Sequence, residues 1–481
     1  TYVCILKACG SIGRATMGKE IHNTIVQKGL LETNILVGNT LVDMYAKCSA
    51  VAKARQVFEQ LPCRTVVSWN ALISGYTQCG NGEEALHCFE QMQQKGLSPD
   101  ALTYVCILKA CSSTKDAQKG SEIHAEIVKH GMLGNDVVLG TSIVDMYAKC
   151  GALAKAQQVF DVLPIQNTIS WNVLISGYFQ HGHCEKALRC FQQMRCQGVS
   201  PDSITFSCVL KACGNLGAVE KGKNIHQEIL REGYLENNST LGNALVEMYA
   251  KCGDLGKAQD IFDDLIVLDV IGFTSLITGY GQHGYGDKAL KCLEHMRSKG
   301  LSPDAMAFTC ILKACGSIGA TERGKEIHTE IDRQGLLKTD HLLGNALVDM
   351  YVKCGMLEKA HEVFNNIPIK DVVSWTALIT GYGQQGEVEN VLQLFDRMRR
   401  DGRKPNSITF LSVLNACSHA GLVDKGQEYF QIMVEAYGLT PSLEHHTCLI
   451  DLLGRSGQLY KAVEIMKKTM SCPHIEMWLT I

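Results

Sequence analysis

Three triplets in this chain, His124-Ala125-Glu126, His226-Gln227-Glu228 and His328-Thr329-Glu330, carry the His-x-Glu half of a zinc-dependent deaminating site. In that chemistry the histidine holds zinc, the glutamate moves the proton, and a Cys-x-x-Cys pair completes the ligand set. The pair is missing, because no two of the 22 cysteines stand three residues apart. A second cluster, His181, His183 and Cys184, with Cys190 and Cys196 further along, lacks the ligand pair on each side that a structural zinc site uses. The segment "GYGQHG" from Gly279 to Gly284 meets the Gly-x-Gly-x-x-Gly spacing of a phosphate cradle, but no strand precedes it. No nucleophile, base or metal set remains, so the chain is expected to be no enzyme and to carry no metal or cofactor.

A different polar position varies in a more informative way. "VVSWNALISGY" from Val66 returns as "TISWNVLISGY" from Thr168, "VIGFTSLITGY" from Val270 and "VVSWTALITGY" from Val372. The apolar frame is copied, while the residue after the aromatic reads Asn70, Asn172, Thr274 and Thr376. A fixed frame with one changing polar group is the pattern of a reader set on a scaffold.

The scaffold follows from the period. Cys9, Cys111, Cys213, Cys315 and Cys417 close "LKAC" or "LNAC", and Cys48, Cys150, Cys252 and Cys354 close "YAKC" or "YVKC", each 102 residues after its sister. Trp69, Trp171, Phe273 and Trp375 keep the same step, so the array carries no insertion. Each unit divides into three hairpins of about 35, 36 and 31 residues, each a pair of helices closed by Gly or Pro. Apolar residues recur at three and four, as Leu72, Ile73 and Tyr76 in one helix and Ala85, Leu86, Phe89 and Met92 in the next. A hairpin of this size cannot bury its apolar face alone, so the expected fold is all-α, a solenoid of stacked hairpins whose first helices line one surface. On this layout "GYGQHG" and "QHGHC" fall in turns between helices, the His-x-Glu triplets fall on second helices, and the repeated cysteines read as small packing residues.

Composition agrees. Aromatics are 7% of the chain and there are nine prolines, which suits small-residue helix packing. With 46 basic against 49 acidic residues, net −3, no polycationic arm advertises nucleic acid, so any such binding must come from local contacts. The cysteines sit inside helical patterns and are expected to be reduced thiols. Every apolar run is broken within about a dozen residues, too soon to span a bilayer. "TYVCILKACG" at Thr1 matches "TYVCILKACS" at Thr103, so the chain opens inside a repeat and its natural N-terminus, with any targeting segment, is expected upstream.

The strict rotation of hairpin lengths, with "SWNALISGY", "LKAC" and "GNALVDMYAKCG", resembles plant organellar pentatricopeptide repeat (PPR) proteins of the class that alternates P, L and S repeats. By that resemblance residues 1–34 are a partial L repeat. S repeats cover 35–65, 137–167, 239–269 and 341–371, and P repeats cover 66–100, 168–202, 270–304 and 372–406. L repeats cover 101–136, 203–238 and 305–340. A terminal L variant at 407–442 and a terminal S variant at 443–474 precede the start of a truncated C-terminal extension at 475–481, "HIEMWLTI" being its opening.

The resemblance implies a right-handed superhelix that binds single-stranded RNA along its inner surface, one base per repeat. It also implies that the fifth and the last residue of each repeat do the reading. In chain order the pairs in P and S repeats are Asn39 with Thr65, Asn70 with Asp100, Thr141 with Asn167, Asn172 with Asp202, Asn243 with Asp269, Thr274 with Asp304, Asn345 with Asp371, and Thr376 with Asn406. The L repeats add Ser207 with Asn238 and Thr309 with Asp340, whereas Val3 and Val105 cannot hydrogen-bond a base. Leu411 with Ser442 and Thr447 with His474 stand outside the pattern.

The chemistry of such a pair is plain. G and U present a ring N–H, which an ionised Asp accepts; A and C present a bare ring nitrogen, to which an Asn amide donates. A long Asn at the fifth position suits a pyrimidine and a short hydroxyl leaves room for a purine. The expected ligand is a pyrimidine, U, any base, A, U, A, U, G, G, U, A and two unassigned bases, with the A and G read by L repeats the weaker letters. The second residue of reader repeats, Val67, Val138, Ile169, Ile271, Leu342 and Val373, would pack on base faces. Lys7, Lys47, Lys109, Lys149, Lys211, Lys251, Lys313 and Lys353 either touch backbone phosphate or are solvated helix ends.

The expected role is RNA recognition in organellar processing, in mitochondrion or chloroplast, as the recognition part of a C-to-U editing factor. Editing cofactor proteins are expected partners through the L repeats, and the chain is expected to be monomeric. The competing reading is a protein-binding scaffold, for tetratricopeptide arrays share the hairpin build but keep a uniform period near 34.

Overall fold

A helix opens wherever a short polar side chain stands ahead of an apolar run. The computed structural model describes residues 1–470 apart from 135, 236, 237, 266 and 339, with the side chains of 468–470 left out. Residues 471–481, with His474 and the expected start of the C-terminal extension, lie outside the described residues. Among the described residues there are 29 α-helices, two short 3-10 turns and no strand.

One 102-residue stretch shows the build. Val66–Gln78 pairs with Gly82–Gln94, Ala101–Thr114 with Ala117–Lys129, and Val137–Lys149 with Leu153–Asp161. Later first helices begin at Thr168, Ser203, Ser239, Val270, Ala305, His341, Val372, Ser407 and Leu443. Each start has a local cause. Asp100 Oδ1 accepts the Thr103 N–H at 2.8 Å, Asn167 Oδ1 accepts the Ser170 N–H at 3.0 Å, and Asp371 Oδ1 accepts the Ser374 N–H at 2.9 Å. Each side chain satisfies one of the orphan donors of a helix N-terminus. The stop is equally local: Gly284, inside "GYGQHG", takes a left-handed φ of 78° and turns the chain into the next helix.

The chain forms two compact units, Thr1–Met248 and Tyr249–Ile481. In the first, the first helices at 2–12, 35–47, 66–78, 101–114, 137–149, 168–180 and 203–216 pack on one another in chain order. In the second, those at 270–282, 305–318, 341–353, 372–384, 407–420 and 443–455 do the same. The second helix of a hairpin packs on its own first helix and on the next one. That is solenoid stacking, with each hairpin's apolar face covered by its neighbour.

Aromatic pairs join the hairpins. Phe58 meets Trp69 at 4.6 Å between ring centroids, Phe160 meets Trp171 at 4.5 Å and Phe364 meets Trp375 at 4.6 Å, all edge to face. The cysteines act as small apolar groups. The Cys150 thiol lies 3.6 Å from the Cys111 carbonyl, and Cys48 stands in the same relation to Cys9 at 3.8 Å. Burial pushes the Cys111 thiol up to about 12, so it stays protonated, and the cysteines are free among the described residues.

The residues that first suggested catalysis are absorbed by this packing. His124 Nδ1 pairs with the Tyr147 hydroxyl at 3.2 Å and His328 Nδ1 with that of Tyr351 at 2.9 Å, while Glu126 accepts the Tyr104 hydroxyl at 3.0 Å. His181 of the "QHGHC" turn donates from Nε2 to the Ala148 carbonyl at 2.8 Å, and its sister His283 does so to Ala250 at 3.1 Å. They tie the end of one first helix to the turn of the next hairpin. Among the described residues no group of three metal-capable side chains converges, and no helix is long and apolar enough to cross a membrane.

Candidate nucleic-acid interface

The last residue of a repeat caps the following first helix, and the fifth residue lies one turn inside its own first helix. Stacking brings the two together across 26 or 30 positions of sequence. Asn70 Nδ2 donates to Asp100 Oδ1 and Oδ2 at 2.9 and 3.1 Å, and Asn172 Nδ2 to both oxygens of Asp202 at 2.9 Å. Asn345 Nδ2 donates to Asp371 Oδ2 at 2.8 Å, Thr274 Oγ1 to Asp304 Oδ1 at 3.2 Å, and Asn39 Nδ2 to Thr65 Oγ1 at 3.3 Å.

Four other expected pairs, Thr376 with Asn406, Thr141 with Asn167, Ser207 with Asn238 and Thr309 with Asp340, show no direct side-chain hydrogen bond among the described residues. Thr376 Oγ1 meets Thr409 Oγ1 at 2.7 Å, and Thr409 in turn donates to Asn406 Oδ1 at 2.8 Å, so that pair is bridged. Thr141 and Thr309 turn their hydroxyls back to the Val137 and Ala305 carbonyls at 2.7 and 2.8 Å, the i−4 bond that short hydroxyls favour inside helices. Asn167 and Asp340 are held as caps beside them, Asp340 by the Leu342 N–H at 2.8 Å. Asn238 Oδ1 caps at Leu241 N at 3.1 Å, with Ser207 half-buried. Asn243 is buried and Asp269 caps at Gly272 N at 2.9 Å.

Capping decides which atoms of the last residue are left free. Asn406 Oδ1 is occupied by the Thr409 N–H at 2.9 Å and Asn167 Oδ1 by that of Ser170, so each Nδ2 faces away from its helix as a donor. An Asp in the same place uses Oδ1 for the cap and keeps Oδ2 as an acceptor. The sense of the side chain, donor or acceptor, is therefore set by the helix it caps. For Asp100, desolvation pushes the carboxyl up, but the combined hydrogen bonds from Thr103 and Asn70 outweigh it and hold the pKa below the ordinary value. Asp371 is held low against the same desolvation by Ser374 and Asn345. Both are ionised at neutral pH.

A row of aliphatic side chains flanks these pairs. Val67, Val138, Ile169, Ile271, Leu342 and Val373 are between 53% and 65% exposed, whereas Asn70 beside Val67 is 4% exposed. Sequence reading named six of these; Leu36, Ile204 and Met306 in other reader repeats, and Leu102 and Ile408 in repeats outside the pattern, occupy the same second position and are exposed in the same way. The signal was available, since all stand two residues after a cap. Three buried hydroxyls were also missed, Thr103, Thr205 and Thr409, marked by the "PDALT", "PDSIT" and "PNSIT" spelling of a capping box. Of the repeated lysines, Lys47, Lys149 and Lys353 form i, i+4 ion pairs at 2.8 Å with Asp43, Asp145 and Asp349, as helix-end lysines do.

Known proteins share these repeats. The PPR repeat family matches residues 64–113, 166–215, 268–317 and 370–419, and the PPR repeat matches 204–234, 243–270, 345–371, 408–437 and 444–472. A pentatricopeptide repeat-containing protein of Arabidopsis thaliana is 37% identical over 469 residues, covering 98% of this chain and 67% of its own length. Another from that plant, named chloroplastic, is 38% identical over 99% of this chain and 54% of its own length. A third, named mitochondrial, is 34% identical over 98% and 68%. This chain thus spans from about half to two thirds of these relatives. The crystal structure of the pentatricopeptide repeat protein PPR10 from maize has the same fold, with a TM-score of 0.60 at 17% identity over 98% of this chain and 73% of that one. The structure of PPR10 in complex with an 18-nt psaJ RNA element gives 0.53 at 19% identity over 97% and 73%. The repeats that the cysteine and tryptophan spacing first marked out are those of these relatives, and the chain belongs to the pentatricopeptide repeat family.

Proposed function

We propose that this chain binds single-stranded RNA with sequence specificity, one base per repeat, through the pairs formed by the fifth residue and the capping residue of the next repeat. What carries the reading is the meeting of Asn70 with Asp100, Asn172 with Asp202, and Asn345 with Asp371: in each, the position that varies along the array lies against a cap whose donor or acceptor sense is fixed. The exposed aliphatic side chains beside them give each base an apolar face to rest on. Relatives named chloroplastic and mitochondrial, and a PPR structure of the same fold determined with RNA, favour an organellar RNA-processing role. Within it, the rotation of P, L and S repeats favours recognition for C-to-U editing, with the deaminase supplied by further sequence or by another protein. The chain acts as a monomer in this reading, and editing cofactor proteins dock on its L repeats.

The test is a binding titration at fixed salt with two labelled RNAs, one carrying the expected string and one with U and A exchanged at the P and S positions. A preference of at least about tenfold, roughly 1.4 kcal/mol, is expected. The double substitution Thr376→Asn with Asn406→Asp then moves the preference of its base from A to U. Equal binding of the two RNAs overturns the assignment and leaves the protein-binding scaffold as the better reading.

A further inference from the structure

We propose that the third residue of the following repeat, Thr103, Thr205 or Thr409, is a positioning residue that sets how sharply the preceding P repeat discriminates between bases. The proposal rests on the RNA-reading function above and adds a third residue to each reading pair.

The geometry is repeated. Thr103 Oγ1 lies 2.6 Å from Asn70 Oδ1 and 2.8 Å from Asp100 Oδ1, and it accepts the Asp100 N–H at 3.1 Å. A hydroxyl has one hydrogen to give. Asp100 Oδ1 already accepts the Thr103 N–H and an Asn70 N–H, so the hydrogen is directed to Asn70 Oδ1, which has no other donor. Thr205 lies 2.5 Å from Asn172 Oδ1 in the same arrangement. Both hydroxyls are wholly buried. The amide of the reader is thereby held with its oxygen toward the threonine and its nitrogen toward the carboxylate. A flip of that amide would set nitrogen against hydroxyl and oxygen against carboxylate.

The remaining repeats supply the contrast. At three of the four junctions where an S repeat meets a P repeat the third residue is a serine that bonds its own cap, Ser68 Oγ donating to the Thr65 carbonyl at 2.7 Å, Ser170 Oγ to the Asn167 carbonyl at 2.9 Å and Ser374 Oγ to the Asp371 carbonyl at 3.0 Å; at the fourth it is Gly272. The readers Asn39 and Asn345 are 7% exposed, and their Oδ1 atoms find no hydrogen-bond partner among the described residues. Their amides are held from one side only. At Thr274 and Asp304 the third residue is Ala307, buried in the place the threonines occupy, and no hydroxyl reaches the pair. The array therefore holds locked readers at Asn70, Asn172 and Thr376 and looser ones at Asn39, Thr274 and Asn345.

Single-base competition decides the point. RNAs carrying the proposed string, with each of the four bases in turn opposite the Asn70 and Asp100 pair, are titrated against the unaltered chain and against Thr103→Val and Thr103→Ser. Valine keeps the shape and the bond from the backbone N–H of residue 103 to Asp100 Oδ1, and loses the hydroxyl together with the bond it accepts from the Asp100 N–H. The expected result is an unaltered preference for U of at least about tenfold, reduced by Thr103→Val to about threefold or less and kept by Thr103→Ser. Discrimination opposite Asn172 and Asp202 stays unchanged in both variants. An equal loss of affinity for all four bases, with the ratio intact, would show a structural role only and overturn the proposal. Absence of any preference in the unaltered chain would instead overturn the RNA-reading function on which it rests. Should Thr103→Val fail to fold, Ala307→Thr carries the test by adding a hydroxyl where none stands: sharper selection opposite Thr274 and Asp304 supports the proposal, and an unchanged ratio overturns it.

Discussion

Replacing Asp100 by Asn separates the two duties of that residue. As a cap the change is mild, because Asn406 already does the same work in the sister position, accepting the Thr409 N–H at 2.9 Å. Asn and Asp cap about equally well, so the folding cost is the weakening of the bond from Asn70, from charge-assisted to neutral, about 1 kcal/mol or less. As a reader the change is an inversion. The cap occupies the amide oxygen, so a nitrogen donor stands where Asp100 Oδ2 accepted. U, with its ring N–H, then meets donor against donor, while C presents a ring nitrogen that the amide can reach. A matched pair of this kind is worth about 1 to 3 kcal/mol, and the site is partly wet, so a shift of at least about tenfold from U toward C is expected. Fluorescence anisotropy with four RNAs differing only at the second base of the string measures it, with helix content recorded beside each titration. Retained preference for U, or an equal loss for all four bases in a folded variant, would refute the reasoning.

Three further outcomes follow from the same geometry. Val67→Asp and Ile169→Asp should leave stability within about 0.5 kcal/mol, since both side chains are exposed, yet lower RNA affinity about tenfold whatever the base, by removing an apolar platform; unchanged affinity in an anisotropy titration would count against base packing. A Cβ at Gly75 would stand 2.6 Å from Ala46 Cβ and 3.3 Å from its Cα, where nothing can rotate away, whereas one at Gly324 would meet the flexible Met350 side chain at 2.6 Å. Gly75→Ala should therefore lose about 1 to 2 kcal/mol after the gain in helix propensity, and Gly324→Ala should be near neutral; urea midpoints in the reverse order would refute the packing account. The pH dependence has two parts. The depressed carboxyls of Asp100 and Asp371 contribute stability that is complete at neutral pH and is lost only as pH falls through their folded values, below about 4. Burial, with a lesser repulsion from nearby lysine, lowers His22 and His124, so their neutral forms stabilise the stack above pH 6.5 and that contribution fades as pH falls below it. Thermal unfolding should show a lower midpoint at pH 5 than at pH 7, and His124→Gln should shrink the difference.

The frame was legible because it is local. Helix starts follow from caps at Asp100, Asn167 and Asp371, and the stacked hairpins follow from the period of Cys9 and Cys111. The aromatic at Trp69 and its sisters marked the core face correctly, as three and four spacing should. What could not be read was vertical. Whether the fifth residue meets the cap directly, as Asn70 does, through a threonine, as Thr376 does, or turns back on its own helix, as Thr141 does, depends on the height of one hairpin over the next. The contact from Asn70 to Thr103 spans 33 positions, and the recurring Thr of "PDALT", "PDSIT" and "PNSIT" marks a cap without saying which residue of the previous repeat it meets. The His124 and Tyr147 pair was hidden for the same reason, and a histidine near a glutamate drew attention to chemistry when its partner was a tyrosine in the next hairpin.

If the side chain that starts a helix also faces the RNA, as proposed, the alphabet at that position is restricted before any ligand is present. Thr65, Asp100, Asn167, Asp202, Asn238, Asp269, Asp304, Asp340, Asp371, Asn406 and Ser442 all come from the four residue types that begin helices well. Exchanges within that set cost the fold little, while exchanges out of it leave a helix end exposed. On the proposed reading, a target can then be rewritten one letter at a time along routes that stay nearly level in stability, while selection on folding alone keeps the vocabulary polar, short and interchangeable.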